Sequence, residues 1–243
     1  MTKAVNTKKP KLKGQSKARR NPLRWLLWQG FRALCAVFVL AVVLIILAAV
    51  VNPPTTIYMS QESRRLGGVD HEWVSIDEIA PVMARAVVAA EDANFCQHWG
   101  FDLRAIKTAI AAGGTRGAST ISQQTVKNVF LWHGRNYTRK AMEAFMTPLV
   151  EAVWSKRRIV EVYLNVAEFD EGVFGVEAAA RHYFGVGPEA LTTTQAARLA
   201  AILPSPKTGS ASRPSNSVRK RASQIIDGAA TIHADGRSEC FES

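Results

Sequence analysis

A chain of 243 residues suits one domain of ordinary size with an added segment. Its formal net charge of +11 would suit a nucleic-acid binder if it were spread over the surface. Residues 1–32 hold ten Lys or Arg and no acid, which leaves 21 basic and 20 acidic side chains for residues 33–243. The body is therefore near neutral and excludes a basic nucleic-acid-binding face; the basicity belongs to the tail.

After the basic tail (1–32) comes "ALCAVFVLAVVLIILAAVV", residues 33–51, without a charge. As a helix it reaches roughly 28 Å, one hydrocarbon thickness. A core helix is usually shorter and keeps a polar stripe. A cleaved signal peptide has a shorter apolar region and a shorter basic one. An uncleaved transmembrane helix fits best. The positive-inside rule then places the N-terminus in the cytoplasm and residues 52–243 on the far side of the membrane, with Trp25 and Trp28 at the inner interface.

"VNPPTTIYM" reads as a short extended connector, since paired prolines resist helix. From residue 75 the chain reads as short helices, without an internal repeat or a run of alternating strand residues. Pro81 suits a first helical position, and Val82, Met83, Ala86, Val87 and Ala90 follow at helical spacing, ending near residues 92–94. Asp102 caps a second helix with Ile106 and Ile110 inward. "AAGGTRGAS" is a glycine-rich loop, and Thr120 with Gln123 makes a capping box for a third helix. Further helices are expected over 138–154, bent at Pro148, then 156–167 and 175–184, with "FDEGVFG" a loop between the last two. "TTTQAARLAAIL" repeats the Thr-x-x-Gln start and stops at Pro204. The expected catalytic part is 52–232, followed by a loose tail, 233–243.

Cys35 lies in the apolar segment. Cys96 and Cys240 lie outside it and read as incidental, although an oxidising compartment would permit a bridge. No spacing suggests a metal site.

Three stretches can carry chemistry. In "AAEDANFCQHWGFD", Glu91 and Asp92 stand at the negative end of an apolar helix, and burial, the dipole and the adjacent acid all penalise ionisation, as suits a general base. The bland reading is a solvated helix end, and alone it is the better one. In "GGTRGASTISQQTVKN" a glycine loop holding Arg116 runs into a helix start whose amides could cradle phosphate, with Thr120, Gln124 and Lys127 on one face. In "YTRKAMEAFMTPLVE", Arg139 and Glu143 are helical neighbours beside Lys140; alone they read as a surface ion pair, and Lys156, Arg157 and Arg158 as a solvated basic face. Together with a membrane span, these parts suit a lipid-borne phosphate substrate.

"EDANFCQHWGFD", "GASTISQQTVKNVFL", "RKAMEAFMTPLVEAVWSKRRIVEVYLN" and "GVFGVEAAARHYFG" occur in this order, and together they resemble the glycosyltransferase family 51 domain of peptidoglycan polymerases over about residues 52–225. The chain ends before any penicillin-binding transpeptidase domain of the bifunctional members. The glycine loop is short, and Ala118 stands where many members have glycine. The resemblance implies a mostly α fold, with a lysozyme-like helical lobe and a smaller membrane-proximal jaw lobe. It implies lipid II and the growing glycan strand as partners, along with the membrane and other cell-wall synthases, and no nucleic acid. It implies β-1,4 glycan transfer with inversion and release of polyprenyl diphosphate.

By motif, the resemblance makes Glu91 the general base, with Asp92, Phe95, His98, Gly100 and Asp102 shaping its surroundings. Ser119, Thr120, Gln123, Gln124 and Lys127 would line the groove. Arg139 and Lys140 would steady the leaving diphosphate, and Glu143 would orient substrate or a bound cation. A divalent metal assists some members; nothing in the sequence requires one. Two other readings stay open: a muramidase-like enzyme that cuts the same polymer, and a non-catalytic anchored division scaffold.

Overall fold

The apolar run forms the C-terminal part of a longer helix in the computed structural model, which describes residues 22–113, 117–134 and 136–242. Helix α1 (Pro22–Val50) includes a 28-residue stretch, Leu23–Val50, long and apolar enough to cross a bilayer. It begins eleven residues before the uncharged run, because Pro22 opens it and the polar side chains that follow are compatible with helix. Residues 44–243 form one compact unit, and residues 22–43 lie outside it.

The end of α1 is fastened. Trp154 Nε1 donates to the Ile45 carbonyl (2.8 Å), and the Arg158 guanidinium donates to the carbonyls of Ala48 (3.0 Å) and Val51 (3.3 Å). Terminal carbonyls of a helix have no partner within it, so cationic donors there satisfy both the hydrogen bonds and the dipole.

The expected extended connector turns helical early. Thr56 accepts from the Met59 amide and starts α2 (Ile57–Leu66), which stops at Gly67 in the left-handed conformation. Helix α3 (Pro81–Glu91) has Pro at its first turn and buries Met83, Ala84, Ala86, Val87 and Val88. Helix α4 (Leu103–Ala111) is capped by Asp102, and α5 (Ile121–Phe130) by the expected Thr120–Gln123 box. Helices α6 (Tyr137–Val153, containing Pro148) and α7 (Lys156–Val166) follow, then α8 (Val176–Phe184), α9 (Thr193–Ile202), α10 (Asn216–Ala234) and the short α11 (Glu239–Glu242). The mostly α expectation holds.

Five local expectations need correcting. "FDEGVFG" is a hairpin, β2 (Glu168–Asp170) with β3 (Val173–Phe174). The strand β1 (Asp70–His71) pairs parallel with β3, in sheet order β1-β3-β2. Strands of two or three residues are too short to show a period of two. Ile110 faces outward at 71% exposure, because α4 buries only Ala109 fully. The residues after 232 are packed, with Ser238 and Phe241 each 1% exposed, and Cys96 is bonded to Cys240 rather than incidental. Lys156, Arg157 and Arg158 are not a solvated face: Lys156 binds Glu151 and the His98 carbonyl, Arg157 binds Asp77, and Arg158 binds Glu161 and the end of α1.

The core has two helical groupings. Helices α3, α9 and α10 pack on one another, and α5 packs against both α6 and α7. Contacts between α3 and α5 join them, and it is there that Glu91 sits.

Candidate active site

Glu91 is the last residue of α3, so its side chain leaves the apolar face of that helix at its end. The carboxylate head is not in the apolar setting that this face implied. Oε2 accepts from Gln124 Nε2 (2.9 Å), and Oε1 lies 3.5 Å from Arg221 Nη2. The Tyr163 hydroxyl donates to Gln124 Oε1 (3.2 Å), which fixes the amide so that its NH₂ points at Glu91. Gln124 is thereby a relay from α7, through α5, to the end of α3.

Three positions along α5 from Gln124, on the same face, stands Lys127. Burial pushes its ammonium below the usual lysine range, against the opposing pull of the Glu143 carboxylate. Its charge interacts with Arg139, Lys140 and Glu91 as well as Glu143, so this one side chain lies between the base candidate and the cations of α6. Among the described residues it makes no hydrogen bond.

Glu143 is 3% exposed and held from one turn back on α6. Arg139 Nη1 donates to its Oε2 (2.9 Å), and Lys140 Nζ to its Oε1. Lys140 also reaches Ser119 Oγ (3.2 Å), which ties α6 to the residue before the α5 cap. Both oxygens of Glu143 are occupied by cations, so its chemistry is to hold Arg139 and Lys140 in place. Among the described residues no group of three His, Cys, Asp or Glu side chains could hold a metal ion.

The remaining motif residues turn into the protein. Asp92 accepts from His98 Nε2 (2.8 Å) and from the Ile121 amide (3.0 Å). Thr120 Oγ1 accepts from the Gln123 amide and donates to the Gly100 carbonyl (2.7 Å), and Gln123 returns its side chain to the Thr120 amide. The expected phosphate cradle at this helix start is thus filled internally: the anion there is Asp92. The loop residues 114–116, Arg116 included, lie outside the described residues. Phe95 is fully buried, with Lys156 Nζ 4.2 Å above its ring. Asp102 caps α4 and accepts from Asn94, which with the α4 amides holds its carboxyl below the usual range. Asp92, Phe95, His98, Gly100, Asp102, Thr120 and Gln123 are therefore engaged in internal contacts, whereas Gln124 and Lys127 line an open groove, to which Glu91 is tied through Gln124, and Arg139 and Lys140 through the charge of Lys127.

Two cavities lie against the groups that hold Glu91, one on the Gln124 side and one on the Arg221 side. One, of about 420 Å³, is lined by Gln124, Lys127, Tyr163, Tyr58, His133 and Lys207. Tyr58 stacks on His133 with ring centres 3.4 Å apart, and burial together with Lys127, Arg139 and Lys207 pushes His133 down to about 4, so the ring is neutral near pH 7. The other, of about 380 Å³, is lined by Arg213, Arg221 and the hydroxyls of Ser205, Thr208, Ser215 and Ser217. Residues 204, 205 and 208 border both. Arg221, Tyr163, Tyr58, His133 and Lys207 were not legible beforehand. Arg221 sits in "SVRKRAS", which reads as a solvated basic run, and nothing local ties it to a carboxylate 130 positions earlier.

A carboxylate held by neutral and cationic donors, with a buried ammonium and paired cations alongside and a cavity on each side, defines an acid–base enzyme for a large anionic substrate. Comparison with known proteins names the family. The transglycosylase family model matches residues 47–230. The chain is 60% identical over 218 residues to the biosynthetic peptidoglycan transglycosylase of Jannaschia sp. (strain CCS1), covering 90% of each protein. It is 46% identical to that of Caulobacter vibrioides, over 91% of this chain and 97% of the relative, and 48% identical to that of Salmonella arizonae, over 87% and 92%. The chain belongs to the transglycosylase family, and its activity is peptidoglycan glycan polymerisation.

Proposed function

We propose that this groove joins lipid II to a growing glycan strand with Glu91 as general base. The 4-hydroxyl oxygen of the lipid II sugar attacks the anomeric carbon of the strand's lipid-linked end. Glu91 takes the hydroxyl proton, the bond from that carbon to diphosphate breaks, and polyprenyl diphosphate leaves with the electron pair. Attack from the face opposite the leaving group gives a β-1,4 bond with inversion. The hydroxyl is the nucleophile, so no covalent enzyme intermediate is required.

Lys127 is the observation that carries this reading. A desolvated ammonium without a hydrogen-bond partner among the described residues is costly unless an anion completes it. It stands between Glu91 and the Arg139–Lys140 pair, where the leaving diphosphate gains charge as the bond breaks. Gln124 and Arg221 hold the Glu91 carboxylate in a fixed orientation, aimed to accept a proton. A glycan-cleaving enzyme would have no use for this cation set, and a scaffold would have none for a held carboxylate.

Localisation follows from two features. The ten cations before α1 favour a cytoplasmic N-terminus across a bacterial inner membrane, with α1 as the single span. The Cys96–Cys240 bond favours an oxidising compartment, the periplasm, for the catalytic unit. Other cell-wall synthases are fitting neighbours there, because the product strand needs crosslinking.

The test is incubation of the detergent-solubilised full chain with labelled lipid II. Wild type should lengthen glycan strands and release few fragments from finished wall polymer. Glu91→Gln should lose at least about 10²-fold in rate with its circular dichroism unchanged. Near-normal polymerisation by a folded Glu91→Gln would show that another group takes the proton.

A further inference from the structure

Residues 235–242 turn back from the end of α10 and join the loop of residues 92–98 that follows Glu91 to α7. Arg237 Nη1 donates to the Ala93 carbonyl (3.2 Å). Cys240 is bonded to Cys96, inside the short 3₁₀ turn Phe95–Gln97. Phe241, 1% exposed, sets its ring 6.4 Å from that of Phe95. The segment is itself held from outside: Arg157 donates to the carbonyls of Phe241 (3.4 Å) and Glu242 (3.3 Å), and Arg85 pairs with Glu242 (2.9 Å).

The loop it grips has consequences for the site. Asp92 begins that loop and His98 ends it, and the two are hydrogen-bonded. Asp92 also accepts from Ile121, the first amide of α5, so the position of the loop sets where α5 starts. One turn further along α5, Gln124 holds Glu91. A shift of the loop is thus passed through Asp92 and α5 to the proton acceptor, and a displacement of an ångström there is enough to slow a reaction that depends on orientation.

We propose that residues 235–242 form a positioning strap for the general-base loop, clasped by the Cys96–Cys240 bond, and that opening the clasp slows glycan transfer without weakening hold on the substrate. The ties of the strap described above run to the loop, to Arg85 and to Arg157 rather than to Glu91 or Gln124, so it positions and does not react. This rests on the assignment of Glu91 as base. Opening requires a thiol reductant: a dithiol such as dithiothreitol exchanges with the bond, leaving two cysteine thiols and one cyclic disulfide.

The experiment uses the folded full chain in detergent with labelled lipid II, at a temperature where circular dichroism shows the native state. Dithiothreitol should lower kcat about 10-fold and leave KM for lipid II within about twofold. The Cys96→Ser/Cys240→Ser double variant should show the same low kcat and ignore dithiothreitol. Arg237→Ala, with the bond intact, should fall between. Unchanged kcat in folded, reduced enzyme would overturn the proposal, as would a rise in KM alone. If neither the serine variant nor the reduced enzyme stays folded, Arg237→Ala decides, and a wild-type kcat there refutes the strap. An inactive Glu91→Gln beside a wild type indifferent to reduction removes the strap alone; an active Glu91→Gln removes the base assignment first.

Discussion

Lys127 shows at residue scale how function opposes stability. Burial desolvates its ammonium, and Glu143 only partly compensates because Arg139 and Lys140 already occupy that carboxylate. Replacing the charge with an apolar group of similar length removes the cost of burial and the contact with diphosphate together. Lys127→Met is expected to raise the unfolding midpoint, by about 1 kcal/mol of stability, while lowering kcat about 10²-fold in a polymerisation assay. A midpoint that falls would mean that the ammonium is anchored by an internal partner. Sequence spacing places Lys127 on the face of Gln124, since both belong to one helix, but it does not show that Glu143 is already saturated by Arg139 and Lys140. The same limit applies to Asp92. As the acid beside Glu91 it reads as support for the base, and only the approach of α5 reveals that it is the anion at that helix start.

At the scale of elements, caps and glycines fix where helices begin and therefore where side chains emerge. The Thr120–Gln123 box sets the start of α5, and Thr120 also donates to the Gly100 carbonyl, so α5 and the 92–102 loop are registered on each other. Gly100 has φ +84°, and a Cβ there would lie 2.7 Å from Thr147 Cγ2 and 3.2 Å from Glu151 Cγ. Gly100→Ala combines left-handed strain with a clash against a buried stretch of α6, and should cost about 1–3 kcal/mol in chemical denaturation. An unchanged midpoint would mean that α6 yields at little cost. The helices with strong local signals were legible: Pro81 opens α3, Asp102 caps α4, and Thr-x-x-Gln opens both α5 and α9. The start of α2 was masked by the prolines just before it. The three short strands have no local signature, because two or three residues cannot show a period and β1 pairs with residues a hundred positions later.

Across the whole molecule, single ionic ties join distant segments. Glu62 on α2 accepts from Arg65 and from Lys207, and Lys207 also reaches Glu168 beside the Tyr58 hydroxyl. The hydrogen bond from Arg65, followed by Lys207, pulls the Glu62 carboxyl from its usual 4.5 down to about 2. In that interval the unfolded chain binds the proton and the folded one does not, so stability increases with pH through the window and is lost as pH falls from about 4.5 to about 2. Glu62→Gln should flatten the acid limb of a midpoint-against-pH curve in that interval; an unaltered limb would assign the acid sensitivity elsewhere. The disulfide works at the same scale. It spans 144 residues, and a chain-entropy argument gives such a closure about 3–5 kcal/mol.

By itself the sequence determined the apolar span with its charge asymmetry, most helices with their caps, and the motif order that marks the family. These are local or linear properties: hydropathy, periodicity and cap chemistry act over a few residues, and motif order survives without coordinates. Only the tertiary structure decided which face of each motif meets the groove. It brought Arg221 and Tyr163 to Glu91 and Gln124, filled the α5 start with Asp92, and fastened Cys240 to Cys96. Those pairings depend on how separate helices pack, and a contact between residues 130 or 144 positions apart leaves no trace in the residues on either side of it.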